Sequence, residues 1–345
     1  MRRRRFSAVA IAAASSLVIA ACGSSGGSSS TGSSKTLVGA GSTLIAPLMS
    51  QWQPTYDTAS GVAVTYGAIG SGGGIEQITA RTVDFGASDA PMTSAQATAC
   101  KGCVQIPWAL AATVVTYHVA GVPNQLKLTG PVLADIYLGQ ITMWNAPQIK
   151  ALNPGVSLPA LKITPVYRSD GSGDTYAFTN YLSQISPTFK SKVGNATQVA
   201  FPVGLGGKGN SGVGAVLSTT NGAIAYIAIA YVLENKFDYA LIQNAAGKYP
   251  VPGIPSISAA AAALTSVPPN NQVSIVNPPA SAPGAYPIST FTYSIVPTTS
   301  AKAKQLKAFI SWAITTGQAD GPKLDFAPLP AKIITADKAT LAKLG

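Results

Sequence analysis

From residue 36 onward, apolar residues follow two alternating rhythms. Residues 36–40 form a short apolar run of strand character. Leu44, Leu48, Trp52 and Tyr56 then fall four apart, which puts them on one face of a helix from Thr43 to about Tyr56. Val62, Val64 and Tyr66 alternate as a half-buried strand does, residues 74–81 read as a helix and 83–87 as a third strand. This β-α-β-α-β order predicts an α/β layer structure around a largely parallel sheet.

The same reading continues through the chain. Residues 113–119 (TVVTYHV) are a β-branched run, 132–137 read helical, 161–167 read as a strand, and 175 to about 182 continue a helix begun near Gly173. The apolar stretch 223–231 reads as one buried strand with a break after it. Residues 259–263 are an Ala run expected to be helical, with Ser256 or Ser258 as its cap. Residues 267–287 are rich in Pro, Asn and Ser and read as loop. A strand at 289–296 and an amphipathic helix at 302–315, carrying Leu306, Phe309, Ile310 and Ala313, complete the pattern. No internal repeat is present. If the extended runs 113–119 and 289–296 both cross between lobes, one lobe is 36–114 with 290–345 and the other is 115–289, a hinge geometry suited to closing on a ligand.

The N-terminus changes the picture from a plain globular chain to an exported one. Arg2 to Arg5 precede an apolar run to Ala21, so residues 1–21 read as a signal peptide. Ile19-Ala20-Ala21-Cys22 resembles a lipobox, in which Cys22 is diacylated and becomes the mature N-terminus; the alternative is an ordinary secretory cleavage site that contains a Cys. Residues 22–35 form a Gly/Ser tether reaching roughly 20 Å beyond Cys22. The expected location is extracytoplasmic, held to the cell membrane by lipid. Without the signal peptide the formal charge falls from +11 to +7, because four of the 23 Lys and Arg residues are Arg2 to Arg5. The remaining excess is dispersed, whereas a nucleic-acid binder clusters its charge on a stripe. That class is set aside. Cys100 and Cys103 in CKGC lack the further ligands zinc would need, since His118 is the chain's one histidine. A local disulfide in an oxidising compartment is the favoured reading over a redox pair.

The chemistry concentrates in VDFGASDAPM, residues 83–92, where a short strand breaks at Gly86 and delivers Asp89 into a turn. A carboxylate at such a place is costly unless it meets water, a cation or a hydrogen-bond donor. Three segments, GAGSTL (39–44), GSGGG (70–74) and RSDGSGD (168–174), each join a strand to a helix through small residues. The first turn of a helix carries unpaired N–H groups and a positive dipole end, so small residues there let an anion approach. Together these features predict a phosphate site in which Asp89 accepts a proton carried by the ligand.

These segments, with LADIYLGQITMWN (133–145), LNPG (152–155) and NGAIAY (221–226), occur in an order and spacing that resembles the extracytoplasmic phosphate-binding proteins of high-affinity phosphate ABC transporters. The likeness spans nearly all of the mature chain. It implies a type II periplasmic-binding-protein fold, two α/β lobes with phosphate in the cleft between them. It also implies delivery to a permease of two membrane subunits and an ATPase, a monomer, no cofactor or metal, and no catalysis. Carried over by position, it gives Thr43 and Leu44 as hydroxyl and backbone donors, Ser71 as a further donor and Asp89 as the acceptor. It gives Arg168 as the cation, Ser172 and Gly173 as donors of the third loop, and Asp170 as the group that orients Arg168. Leu44 departs from the Phe common in the family, with little expected effect because its contribution is backbone. Asp174 departs from the family's more usual Thr: it either favours the dipole of its helix or faces the ligand as a second acceptor.

Rival classes are weaker. GLGGKGNSG (204–212) lacks the Ser/Thr after Lys208 that a phosphate-binding P-loop needs, and reads as a mobile Gly-rich loop. The glycines flanking Ser172 are wrongly spaced for a nucleophile elbow, which argues against a phosphoester hydrolase. A surface lipoprotein for another tetrahedral oxyanion is the remaining alternative.

Overall fold

The computed structural model describes residues 35–345. The signal peptide at 1–21, Cys22 with its lipid, and the tether up to residue 34 lie outside the described residues. In chain order the elements begin with β1 (Thr36–Gly41), α1 (Ala46–Ser60), β2 (Ala63–Ala68), α2 (Ser71–Thr79), β3 (Phe85–Ser88) and α3 (Ser94–Ala99). β4 (Cys103–His118), β5 (Lys127–Leu128), α4 (Gly130–Tyr137), α5 (Pro147–Leu152), β6 (Thr164–Arg168), α6 (Gly173–Ile185) and α7 (Pro187–Lys192) follow. Next come β7 (Leu205–Gly207), α8 (Gly209–Thr219), β8 (Ala223–Ala228), α9 (Ile229–Glu234), β9 (Asp238–Tyr239) and β10 (Leu241–Ile242). The chain ends with α10 (Ile254–Ala262), β11 (Ser289–Pro297), α11 (Ala303–Ala313), a 3-10 helix Thr316–Leu324 and α12 (Ala331–Leu341).

The main sheet runs β2-β1-β3-β11-β4-β8-β6-β7, with β9 added to β4. It contains two groups of parallel strands. β1 lies parallel to β2 and β3, while β6 lies parallel to β7 and β8. The two long strands between them, β11 and β4, run antiparallel to their neighbours. The expected largely parallel sheet is therefore mixed, because the strands that link the groups run against them. β4 is almost continuously buried, as a strand covered on both faces should be. Its first part, Cys103 to Ala112, pairs with β11, and from Thr113 onward it pairs with β8. At that handover the Thr113 N–H donates to the Ile288 carbonyl at 3.0 Å.

Four further readings change. The apolar run 223–231 is a strand only to Ala228; Ile229–Glu234 is α9. A continuous apolar stretch cannot distinguish a buried strand from a buried helix by periodicity. The Gly-rich stretch 204–212 is β7 followed directly by α8 rather than a loop. Its glycines are there for close packing: a Cβ on Gly207 would lie 2.6 Å from the Val213 nitrogen. α10 starts from Gly253, and Ser256 lies inside it with its hydroxyl bonded back to Val251 and Gly253 carbonyls. α1 begins at Ala46, so Thr43 and Leu44 precede it. Cys100 and Cys103 form a disulfide, joining the end of α3 to the start of β4.

Candidate functional site

The two strand groups run in opposite directions along successive halves of β4, so the carboxyl ends of both, where α/β sheets form their ligand crevices, face each other beside the middle of that strand. β1 runs out into Ser42, Thr43 and Leu44; β2 leads through Gly70 to Ser71 at the start of α2; β3 delivers Asp89. From the other group, β6 ends in Arg168, β7 leads into Gly209 and Asn210 of α8, and β8 ends at Ala228. Ser42, Thr43, Ser71, Asp89, Arg168, Ser172, Asp174 and Asn210 are all buried. So many buried polar groups demand mutual hydrogen bonding, and they have it.

Asp89 lies at the centre. The Ser42 hydroxyl sits 2.6 Å from both of its oxygens, and Thr292 of β11 donates to Oδ1 at 2.8 Å. Ser71 stands 3.4 Å from Oδ2 and accepts from the backbone N–H groups of Asp89 and Gly173 at 3.2 and 3.0 Å. Gly173 touches Asp89 so closely that a Cβ there would come within 2.3 Å of the Asp89 Cβ, so only glycine lets α6 begin at this point. The Gly72 N–H donates to the Gly171 carbonyl at 2.9 Å, a second bond between loops of the two strand groups. Burial, and then the negative charge of Asp174, push the Asp89 carboxyl up to about 7, against the hydroxyls of Ser42 and Thr292 and the charge of Arg168.

Arg168 is gripped from two sides. Its Nε and one terminal nitrogen donate to the two oxygens of Asp170 at 2.8 and 2.6 Å, a bidentate fork. The other terminal nitrogen donates to Asp174 Oδ2 at 3.0 Å. Burial alone would lower the guanidinium, but the bonds to Asp170 and the charge of Asp174 outweigh it and hold it above its ordinary value. Burial opposes ionisation of Asp170 too, yet the Arg168 fork keeps that carboxyl below the usual range. Asp174 is fully buried. Oδ1 accepts from Thr113 at 2.7 Å, and Oδ2 accepts from Asn210 as well as Arg168, while burial pushes its carboxyl up. Ser172 caps α6, its hydroxyl accepting from the N–H groups of Asp174 and Thr175. The Leu44 N–H bonds to the Ser42 hydroxyl at 3.0 Å.

The residues singled out from the three loops and from 83–92 thus fall into one contiguous cluster, buried but for half-buried Asp170, with three carboxylates around a single guanidinium. Sequence reasoning missed Ser42, Thr113, Asn210 and Thr292. Ser42 lies inside the quoted GAGSTL segment, and its proximity to Thr43 was the available signal. Asn210 lies inside the quoted Gly-rich stretch 204–212, which reads as a loop, whereas Thr113 and Thr292 stand in runs that read only as strands.

The arrangement gathers one guanidinium, hydroxyls and the starts of helices α2, α6 and α8 around Asp89. A family model described as a PBP superfamily domain matches residues 26–316. The phosphate-binding protein PstS of Xylella fastidiosa (strain Temecula1 / ATCC 700964) is 43% identical over 306 residues, covering 87% of this chain and 83% of that protein. The phosphate-binding protein PstS of Pasteurella multocida (strain Pm70) is 39% identical over 309 residues, covering 88% and 89%. The chain belongs to the PstS phosphate-binding proteins of the PBP superfamily. Solved structures share its fold. A phosphate-binding protein from Stenotrophomonas maltophilia aligns with a TM-score of 0.69 at 18% identity, covering 90% of this chain and 99% of that one. A high-affinity periplasmic phosphate-binding protein bound with phosphate aligns with a TM-score of 0.69 at 20% identity, covering 89% and 93%. The superfamily match stops at residue 316, so α12 of this PstS member lies beyond it.

Proposed function

We propose that this chain binds inorganic phosphate outside the cytoplasmic membrane and hands it, without chemical change, to an ABC-type import permease of two membrane subunits and an ATPase. On this reading it acts as a monomer anchored by lipid on Cys22. The two lobes, 36–114 with 290–345 and 115–289, close over the ligand as β4 and β11 flex. The observation that carries the proposal is the juxtaposition of Asp89, an acceptor, with Arg168, a cation, in one buried cluster of hydroxyls and helix N-termini. Thr43, Leu44, Ser71, Ser172 and Gly173 supply donors to phosphate oxygens, Arg168 the counter-charge, and Asp170 holds Arg168 in place.

Asp89 then sets selectivity. An ionised carboxylate only accepts, so it favours an oxyanion that brings a proton and repels sulfate, which brings none near neutral pH. Titration of the purified protein with phosphate, sulfate and molybdate tests both the ligand and the filter. The parent is expected to prefer phosphate. Asp89→Asn should narrow the phosphate-to-sulfate preference by about 100-fold, chiefly by admitting sulfate. A variant that excludes sulfate as well as the parent does would remove the acceptor role, and a parent that ignores phosphate would remove the function.

Asp174 biases the ligand's protonation. With Asp89, Asp170 and Asp174 around one Arg168, the cluster holds an excess of negative charge, and the monobasic form of phosphate relieves it best. As a second acceptor facing the ligand, Asp174 should make affinity fall more steeply as pH rises and the monobasic form is depleted. Asp174→Thr should flatten that profile; superimposable profiles for parent and variant would reject the bias.

A further inference from the structure

We propose that Asn210 is a positioning residue for phosphate capture: its side-chain amide fixes the Thr43 hydroxyl as a donor to the ligand and ties that bond to closure of the cleft. The inference rests on the phosphate reading above and adds a residue to it. Asn210 is the second residue of α8, follows the Gly-rich strand β7, and is buried. Its Oδ1 accepts from the Ala228 N–H at 3.0 Å, while Nδ2 donates to Thr43 Oγ1 at 2.9 Å and to Asp174 Oδ2 at 3.0 Å. The orientation of the amide is not free to reverse. A backbone N–H can only donate, so Oδ1 must face Ala228, and Asp174 Oδ2 already accepts from Arg168.

Two consequences follow. A hydroxyl has a single proton, and because Thr43 Oγ1 accepts from Asn210 it keeps that proton to donate elsewhere. An acceptor at position 210 would instead consume it. Thr43 follows β1 in one strand group, whereas Asp174 and Ala228 belong to the other. The Asn210–Thr43 bond therefore joins the groups, and it forms only when they are apposed. Asn210 connects the ligand's counter-charge pair to the opposite wall of the cleft with both of its amide hydrogens.

The test uses the full chain and inorganic phosphate, titrated from pH 5 to pH 8.5. Parent binding is the control: its absence would defeat the underlying reading and this one with it, whereas a parent that binds leaves the variants to decide this one alone. Asn210→Asp has the same shape and keeps the acceptor for Ala228, so the fold is retained. It reverses the Thr43 bond and sets a second charge against Asp174. Affinity is expected to drop by about tenfold or more at pH 8 and to recover toward pH 5 as the introduced carboxyl takes up a proton. A double-mutant cycle with Thr43→Val reads the coupling. Thr43→Val and Asn210→Ala should each weaken binding about tenfold, and the pair should cost much less than the product. If Asn210→Ala does not fold, Asn210→Asp takes its place in the cycle. Asn210→Asp binding within about twofold of the parent at every pH, or single effects that simply multiply, would overturn the proposal.

Discussion

Arg168→Gln is expected to abolish useful phosphate binding and to destabilise the protein, with both losses depending on pH. The Arg168 side chain is only 1% exposed and holds Asp170 and Asp174 at once. Removing one partner of a buried ion pair leaves charge without compensation, which costs about 3–5 kcal/mol. On the proposed phosphate reading the ligand loses its counter-charge as well, and truncating a buried charge partner weakens binding by roughly 100- to 1,000-fold or more. The sign of the pH dependence follows from the two carboxylates. Asp170 is held below its usual range by Arg168, so its contribution to stability is present above the ordinary carboxylate pKa of about 4 and fades as pH falls through its lower folded value. Asp174 is already pushed up, and without Arg168 it is pushed further, a penalty that grows as pH rises above about 4. Both effects enlarge the deficit of the variant at neutral pH and shrink it in acid. Denaturant unfolding of parent and variant at pH 7.5 and pH 4 measures this directly. A deficit of equal size at both values would show that packing, and not charge, is what Arg168 contributes.

The cluster also explains which parts of the site could be read from the chain. Asp89, Ser71, Arg168 and Ser172 stand in short strand–turn–helix segments whose purpose is visible within a dozen residues. Their partners are not local. Thr292 reaches Asp89 across 203 positions, Asn210 reaches Thr43 across 167, and Thr113 reaches Asp174 across 61. Such residues gain meaning only when the fold brings β11, α8 and the middle of β4 together, and an alternating strand gives no sign of which hydroxyl will face a carboxylate. The same limit applies to the fold. Leu48, Trp52 and Tyr56 marked one face of α1, and all three are buried. In β2 only Val64 is fully buried, while Val62 just before it and Tyr66 are half-buried, because β2 is an edge strand with one neighbour. Where local pattern was uniformly apolar, as in 223–231, tertiary packing decided the switch from β8 to α9.

Away from the cleft, Asp337 is expected to make the protein less stable as pH rises. This residue of α12 is fully buried, and neither of its oxygens has a hydrogen-bond partner among the described residues. Burial pushes its carboxyl up to about 9. An unpartnered carboxyl in such a place stays protonated through neutral pH, since ionising it would strand a charge in an apolar setting. The folded chain therefore binds a proton that the unfolded chain releases above about pH 4. Stability is fully retained below that value and falls as pH rises from about 4 to about 9, by an amount on the order of 7 kcal/mol. Asp89, raised to about 7 mainly by burial, adds a slope of the same sign over a narrower window. Comparison with Asp337→Asn isolates the first effect, because the amide has nearly the same shape and does not ionise. The two proteins should unfold alike at pH 4.5, and the variant should become progressively the more stable toward pH 9. Urea unfolding curves in parallel across that range would mean that Asp337 is not carried into the folded state as a neutral acid.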